Sequence, residues 1–460
     1  MHHAGDGRKF MRKSVIASIF VFVLLLLMIA NAAQAQEVSP QERVKAIQAA
    51  LREAKIDGWL FYDFRGSDPL AYRILRLDQR GITTRRWFYY IPATGEPVKL
   101  VHSIERDKLD ALPGRKRIYL PWQQLHTFLR ETVTAGGTLR MGPVQDDPRH
   151  PDRFGTRVSG RKRIAMQYSP NNDIPYMSRV DAGTIELIRS FKVEPVPSAD
   201  LVQEFEAAWT PAQLEMHTEA SDKIHRIIMQ AFDEIARRIK AGEPTTEYDI
   251  QQFMVRRYAE ENLESDNEPP IVAVNANAAN PHYEPTRDVH APIKRGDFVL
   301  FDVWAKLKKP NSVYTDQTWT GYVGESVPEE YTRIFNIVRD ARDAAVKFVQ
   351  ESMRAGRPIK GADVDDVSRG VIARAGYGAQ FLHRTGHSIG EEVHGNGANI
   401  DNLETRDARR IIPRTTFSIE PGIYLEGKFG VRSEIDVHVT ERDATVTGLP
   451  IQTAVIAILK

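Results

Sequence analysis

The sequence predicts an α/β (α+β) protein of two domains, residues 36–208 and 209–460, behind a leader of residues 1–35. Three observations carry this. Helix and strand patterns alternate from Ser39 to Phe205. Two amphipathic helix patterns open the second half at Thr210. From Phe298 onward, strand-like phrases bounded by Gly and Pro each hold an acidic side chain or a histidine.

The 460 residues are 42% hydrophobic and 27% charged, ordinary values for a globular protein with room for two cores. A formal net charge of +1 leaves no basic face for nucleic acid, and Arg161-Lys162-Arg163 reads as solvated loop. The absence of cysteine excludes disulfides, thiolate nucleophiles, Fe–S clusters, cysteine zinc sites and a lipobox.

In the leader, Arg8, Lys9, Arg12 and Lys13 precede an apolar run from Val15 to Ala30, then Ala33-Gln34-Ala35 as a small-x-small cleavage pattern. The run falls short of the roughly 20 apolar residues of a spanning helix. A cleaved export signal is expected, with Met11 as an alternative start and Gln36 near the mature end. The expected location is the periplasm or the medium, without stable membrane association after cleavage. The alternative is anchoring by the uncleaved segment.

Ser39-Pro40 opens the first helix, with Val44, Ile47, Ala50, Leu51 and Ala54 on one face and Gly58 as its stop. Trp59–Phe64 reads as a strand. Arg86–Ile91 and Val98–His102 read as a hairpin around Ala93-Thr94-Gly95-Glu96. Further signals follow at Trp122–Val133, Arg163–Gln167, Ala182–Phe191 and Ala199–Phe205. Asp63, Arg65 and Arg86 read as solvated surface. The domain boundary falls between Pro195 and Trp209.

Thr210-Pro211 begins a long helix with Leu214, Ile224, Ile227, Ile228, Phe232 and Ile235 on one face, and Gly242 ends it. Thr245-Thr246 caps another, with Tyr248, Ile250, Phe253, Met254 and Tyr258 as its apolar set. Phe298–Phe301 is an unbroken apolar run, which marks a strand covered on both faces. Five side chains then stand out: Asp302 in F-V-L-F-D-V-W, Asp316 in Y-T-D-Q-T-W-T, His387 in H-R-T-G-H-S-I-G, Glu420 in F-S-I-E-P-G-I-Y and Glu434 in V-R-S-E-I-D-V. Each alone fits the solvent-facing half of an alternation. Together they need cations, because a carboxylate entering such a run loses hydration or stays protonated. Arg or Lys partners would serve; hard divalent metals suit oxygen-rich sites better and tolerate one imidazole.

In order, these phrases resemble the five ligand motifs of the creatinase-fold (pita-bread) metallopeptidases, the family of aminopeptidase P, prolidase and methionine aminopeptidase. The resemblance covers Trp209 to Lys460, a pita-bread domain. Residues 36–208 resemble, more weakly, the creatinase-N-like domain of prolidases and aminopeptidases P, which methionine aminopeptidases mostly lack. One departure is a longer loop between the first two aspartates, Ala305–Tyr314, turning around Lys308-Lys309-Pro310-Asn311.

The resemblance implies two divalent metal ions, manganese first, with cobalt or zinc compatible. Asp302 would hold one, His387 and Glu420 the other, and Asp316 and Glu434 both. It implies a small peptide substrate, a dimer, and hydrolysis of the amino-terminal peptide bond, Xaa-Pro in type, by a metal-bridging hydroxide. Glu420 would then carry the proton to the leaving nitrogen. His394 in E-E-V-H-G would hydrogen-bond the scissile carbonyl, and His282 in N-P-H-Y would line the pocket and move protons. His383, Arg406 and Arg432 are the implied substrate-side residues. Arg406 stands fourteen residues before Glu420, where prolidases grip a dipeptide carboxylate. Gly395 replaces the acidic residue the family commonly has after His394, which puts the hydrogen bonding behind it in question. His383 and His387 are four apart, but no Glu follows His383 and glycines flank His387, so a helical zinc motif is not expected. The alternatives are a metal-free creatinase-like hydrolase and a catalytically silent peptide-binding module of the same fold; retention of all five ligands separates the metallopeptidase from both.

Overall fold

A computed structural model describes residues 38–79, 81–135 and 160–460. The leader, Arg8 to Ala35, lies outside the described residues, among which no helix is long and apolar enough to cross a membrane.

The first domain is a six-stranded mixed sheet. Its helix α1 (Pro40–Glu53) starts on a reciprocal cap, with Ser39 Oγ accepting from the Glu42 amide and Glu42 accepting from the Ser39 amide. The strands are β1 (Gly58–Asp63), β2 (Trp87–Pro92), β3 (Val98–His102), β4 (Arg115–Tyr119), β5 (Arg163–Met166) and β6 (Glu194–Pro197), in the order β4-β3-β2-β1-β5-β6. β2 and β3 form the expected hairpin, Phe88 opposite Leu100. Strands β1 and β2 read as continuous apolar runs because both faces are covered. Trp59, Phe61, Trp87 and Tyr89 pack toward α1 and α2 (Pro69–Leu75). Leu60, Tyr62, Phe88 and Tyr90 pack toward α3 (Trp122–Thr134) and α4 (Ala182–Ser190). Sequence patterning did not signal α2, β4 or β6. Asp63 corrects an expectation: it is fully buried, and accepts from the Gly66 and Asp68 amides (both 3.1 Å) and the Tyr72 hydroxyl (2.8 Å). It closes the turn after β1.

A short helix α5 (Ala199–Val202) and a wide turn through Ala207 lead into the second domain. Helix α6 (Pro211–Ala241) starts on a Thr210–Gln213 reciprocal cap with proline at its first position. It ends at Gly242, whose φ of 73° is the left-handed conformation that glycine adopts without strain. Helix α7 (Glu247–Glu260) follows, capped by Thr246. The short strands β7 (Leu263–Glu264) and β8 (Ile271–Val274) both pair with β9 (Phe298–Leu307). β9 also pairs antiparallel with β10 (Thr315–Tyr322), Asp302 opposite Thr318. Alternation then sorts β9. Val299, Phe301 and Val303 pack on α6, where Phe232 stacks on Phe301 at 4.4 Å. Asp302, Thr318 and Asp316 share the opposite face. The longer loop between the strands is held by Ser312, whose hydroxyl donates to the Leu307 carbonyl (2.6 Å).

Helices α8 (Glu329–Arg354) and α9 (Gly361–Arg374) precede the second sheet. This comprises β11 (Ser388–Ile389), β12 (Thr416–Ile419), β15 (Ile435–Val439) and β16 (Ala444–Val446), in that spatial order. Between β12 and β15 runs a hairpin of β13 (Gly422–Leu425) and β14 (Phe429–Arg432). The last strand, β17 (Ile456–Ala457), joins β10.

Candidate metal centre

Register brings the five residues together. On the second sheet the last pair of β12 and β15 is Ile419 opposite Ile435, so Glu420 and Glu434 continue the two strands side by side. His387 precedes β11, its amide donating to Ser418 Oγ (3.0 Å) and its carbonyl accepting from the Ser418 amide (2.8 Å). A side chain at Gly386 would overlap the Ser418 carbonyl, which is why this approach needs glycine. The amide of Glu434 donates to the Thr318 carbonyl (3.4 Å), joining the second sheet to β10 and facing its acids toward Asp302 and Asp316.

The cluster is buried: Asp302, Asp316, His387 and Glu434 are 9%, 4%, 3% and 2% exposed. Ligand atoms of Asp316, His387 and Glu434 lie within 4.8 Å of one another. His387 Nε2 stands 3.4 Å from Glu420 Oε1 and 3.7 Å from Asp316 Oδ2. Its Nδ1–H faces the Ser388 carbonyl (3.1 Å), which only accepts, so Nε2 carries a lone pair toward those oxygens. Acceptor faces acceptor. A cation between them resolves that, and burial, which holds His387 well below the usual imidazole range, keeps the ring neutral for it.

Burial, and then the crowding of like charges, pushes Asp316 and Glu434 well above the usual carboxylate range. Burial also raises Glu420, to about 7, against the lowering field of Arg432. Asp316 Oδ1 is buried with no hydrogen-bond partner among the described residues. An orphaned buried carboxylate oxygen, an oxygen-rich donor set and a single outward imidazole nitrogen together fit divalent metal.

The remaining residues singled out by sequence fall in three positions. Arg432 is buried behind the acids. It is ion-paired to Asp302, and its Nε–H donates to Thr318 Oγ1 (2.9 Å), whose hydroxyl donates on to Glu434 (2.7 Å). His383 donates Nδ1–H to the Arg384 carbonyl (2.7 Å) and accepts from Tyr424 OH (2.7 Å), so both ring nitrogens are engaged within the protein. His394 is exposed, its ring edge-on to His387 with centroids 4.3 Å apart, and His282 is an exposed neighbour whose charge acts on it. Arg406 is exposed on the 401–410 loop with no ion pair or hydrogen bond to the cluster. Its neighbour Arg409 is instead buried on Asp407 (2.5 Å).

Sequence reasoning missed four contributors. Thr318 relays Arg432 to Glu434. Tyr424 joins His383 to Arg432, 3.4 Å from its Nη1. Asp436 is fully buried, raised by that burial to about 8, and accepts from the Asp316 amide and Thr315 Oγ1, both at 2.9 Å. Arg384 donates to Tyr176 OH (2.8 Å) of the first domain, and its charge acts on Glu420, His387 and His394. Two signals were available. Asp436 lies two residues from Glu434, on the same strand face, and Arg384 stands inside the histidine phrase.

Residues 219–441 match metallopeptidase family M24. The Xaa-Pro dipeptidase of Lactobacillus helveticus is 31% identical over 217 residues, 47% of this chain and 52% of that protein. The chain spans about half the length of the curated relatives it matches. Among solved structures, a dipeptidase from Pyrococcus horikoshii OT3 is 25% identical, with a TM-score of 0.56 over 90% of this chain and 99% of that one. An X-prolyl aminopeptidase from Caenorhabditis elegans, titled a cytosolic enzyme with a di-nuclear active site, is 16% identical, with a TM-score of 0.60 over 91% of this chain and 63% of that one. The likeness to the latter is one of fold.

Proposed function

Residues 219–441 form a domain of metallopeptidase family M24, and from that premise we propose that the protein is a dinuclear metallo-exopeptidase removing the amino-terminal residue of small peptides, Xaa-Pro in type. The observation that carries this reading is the convergence of Asp302, Asp316, His387, Glu420 and Glu434, four of them buried and Glu420 half-buried, around an Asp316 oxygen that has no hydrogen-bond partner among the described residues. These five side chains would hold two divalent ions, manganese foremost. Bound there, such ions supply Lewis acidity to a peptide carbonyl and lower the pKa of water.

The protein's own groups account for the rest. Glu420, at the less buried edge of the cluster and 3.4 Å from His387 Nε2, would take a proton and return it to the leaving nitrogen. His394, at the exposed edge of the cluster, faces the scissile carbonyl, and His282 stands beside it to line the pocket and move protons. Arg432 fixes the orientation of Asp302 directly and of Glu434 through Thr318. His383 steadies Arg432 through Tyr424. Arg406 is assigned to the far end of the substrate, where it would meet a carboxylate. The Lactobacillus relative's name, Xaa-Pro dipeptidase, supports proline after the scissile bond.

The protein acts, on this reading, in the periplasm or medium after loss of residues 1–35, as a homodimer. The deciding experiment offers manganese-loaded protein Ala-Pro, Ala-Pro-Ala and Ala-Ala-Ala. Cleavage of Ala-Pro alone identifies a dipeptidase, cleavage of Ala-Pro-Ala an aminopeptidase, and preference for Ala-Ala-Ala removes the proline assignment.

A further inference from the structure

The segment that carries His394 is gripped from outside its own domain. Arg73, on α2 of the first domain, makes two ion pairs. One is to Glu206 in the turn that joins the domains (Nη1 to Oε1, 3.2 Å), the other to Glu392 of the second domain. Glu206 Oε1 in turn accepts from Asn396 Nδ2 (2.9 Å). Residues 392 and 396, two positions either side of His394, are therefore both tied to one arginine–glutamate pair. Arg76, one residue past α2, adds Glu391 (3.7 Å).

The pair has the properties of a fixed anchor. Side chains of Arg73 and Glu206 are only 22% and 9% exposed, so their attraction is less screened than that of a surface pair. The turn bearing Glu206 is itself fastened to the second domain, where Gln203 accepts from the Ala398 amide (3.0 Å). Behind His394 the backbone is also set. The Gly395 amide donates to the Ser388 carbonyl (2.6 Å), and a side chain at Gly395 would come within 3.0 Å of Gly390 N, Ile389 C and Ser388 Oγ. That close approach leaves little room for a side chain there. His394 itself has no hydrogen-bond partner among the described residues, and its ring contact is His387. Its position is inherited from the segment around it.

We infer that Arg73 is a positioning residue for His394, so that the first domain sets the geometry of the second domain's catalytic edge. This rests on the proposed reading in which His394 faces the scissile carbonyl. An interaction realised in the transition state tolerates little misplacement, and an error of about 1 Å is enough to cost up to about a hundredfold in rate.

The test uses the full, manganese-loaded chain with Arg73→Met and Arg73→Lys. Hydrolysis of Ala-Pro and amide hydrogen exchange over residues 390–397 are measured on each. Arg73→Met is expected to lower kcat about tenfold with KM within about twofold, and to speed exchange in that segment selectively. Metal content should stay at the wild-type value. Arg73→Lys should recover part of the rate, because an ammonium there still faces both Glu206 and Glu392. Unchanged exchange in Arg73→Met, faster exchange with unchanged kcat, or exchange that rises equally throughout the first domain would each overturn the inference. His394→Ala separates the two layers. If it leaves turnover intact, the reading of His394 falls and the inference with it; if it removes turnover while Arg73→Met does not, only the inference falls.

Discussion

Arg432 governs Glu434 without touching it closely: its Nε stands 4.0 Å from Glu434 Oε2, yet both bind the same Thr318 hydroxyl. The arginine donates to that oxygen, and the oxygen's single proton faces Glu434 Oε2 at 2.7 Å, the shorter contact, and Asp302 Oδ1 at 3.1 Å. A carboxylate of the candidate metal site is thus aimed by a neutral side chain on a different sheet.

Thr318→Val keeps the shape of β10 and removes the relay. Divalent metal should bind about tenfold more weakly, with the unfolding midpoint little changed, because the cost falls on orientation of a ligand rather than on packing. Calorimetric titration with manganese measures it; wild-type affinity in the variant would show that Arg432 aims Glu434 by charge alone.

Glu420→Gln preserves size and one side-chain oxygen but removes the proposed proton carrier. Turnover of Ala-Pro should fall by at least about a thousandfold while much of the metal stays bound. Retained activity would take Glu420 out of the mechanism and leave it a ligand only.

Metal uptake should depend on pH with a defined sign. Asp316 and Glu434 are raised, and Glu420 to about 7, so in the metal-free protein they hold protons that a cation must displace. Affinity should therefore rise with pH through about 7 and weaken below it, with protons released on binding. Proton release compared between two buffers of different ionisation enthalpy gives the count. Zero release at pH 6 contradicts the crowding of these acids.

A separate dependence belongs to the first domain. Asp68 is fully buried, and burial raises it from 3.8 to about 7, its Oδ2 having no hydrogen-bond partner among the described residues. A folded-state pKa above the unfolded one means that the native state holds the proton more tightly. The associated stability is complete below pH 3.8 and is lost as pH rises through about 7. Asp68→Asn, which can still cap α2, removes that slope. The free-energy difference between variant and wild type should shift by about 4 kcal/mol in favour of the variant between pH 4 and pH 8. Denaturant unfolding at the two pH values measures it.

Which of these features could be read in advance follows from how each is encoded. The four acids and the histidine of the cluster stand in strand-like phrases, and a charge in such a phrase is visible without coordinates. Helix starts at Ser39 and Thr210 were equally legible, because capping is local chemistry. Thr318 was not, since a threonine within a strand looks the same whether it faces solvent or a ligand. Asp63 was misread as surface because its partners, two amides and Tyr72, assemble only when the chain turns back on itself. The strand β4, Arg115–Tyr119, hides in a basic stretch because it is an edge of the sheet, where charges are tolerated. Arg384 and Arg73 act across the domain boundary, and no spacing rule within one domain points to them.

The most direct measurement is the metal content of purified protein after reconstitution with excess manganese and removal of the unbound ion. The account predicts two ions per chain in the wild type and a loss of stoichiometric binding in Asp316→Asn. No retained metal in the folded wild type would contradict it.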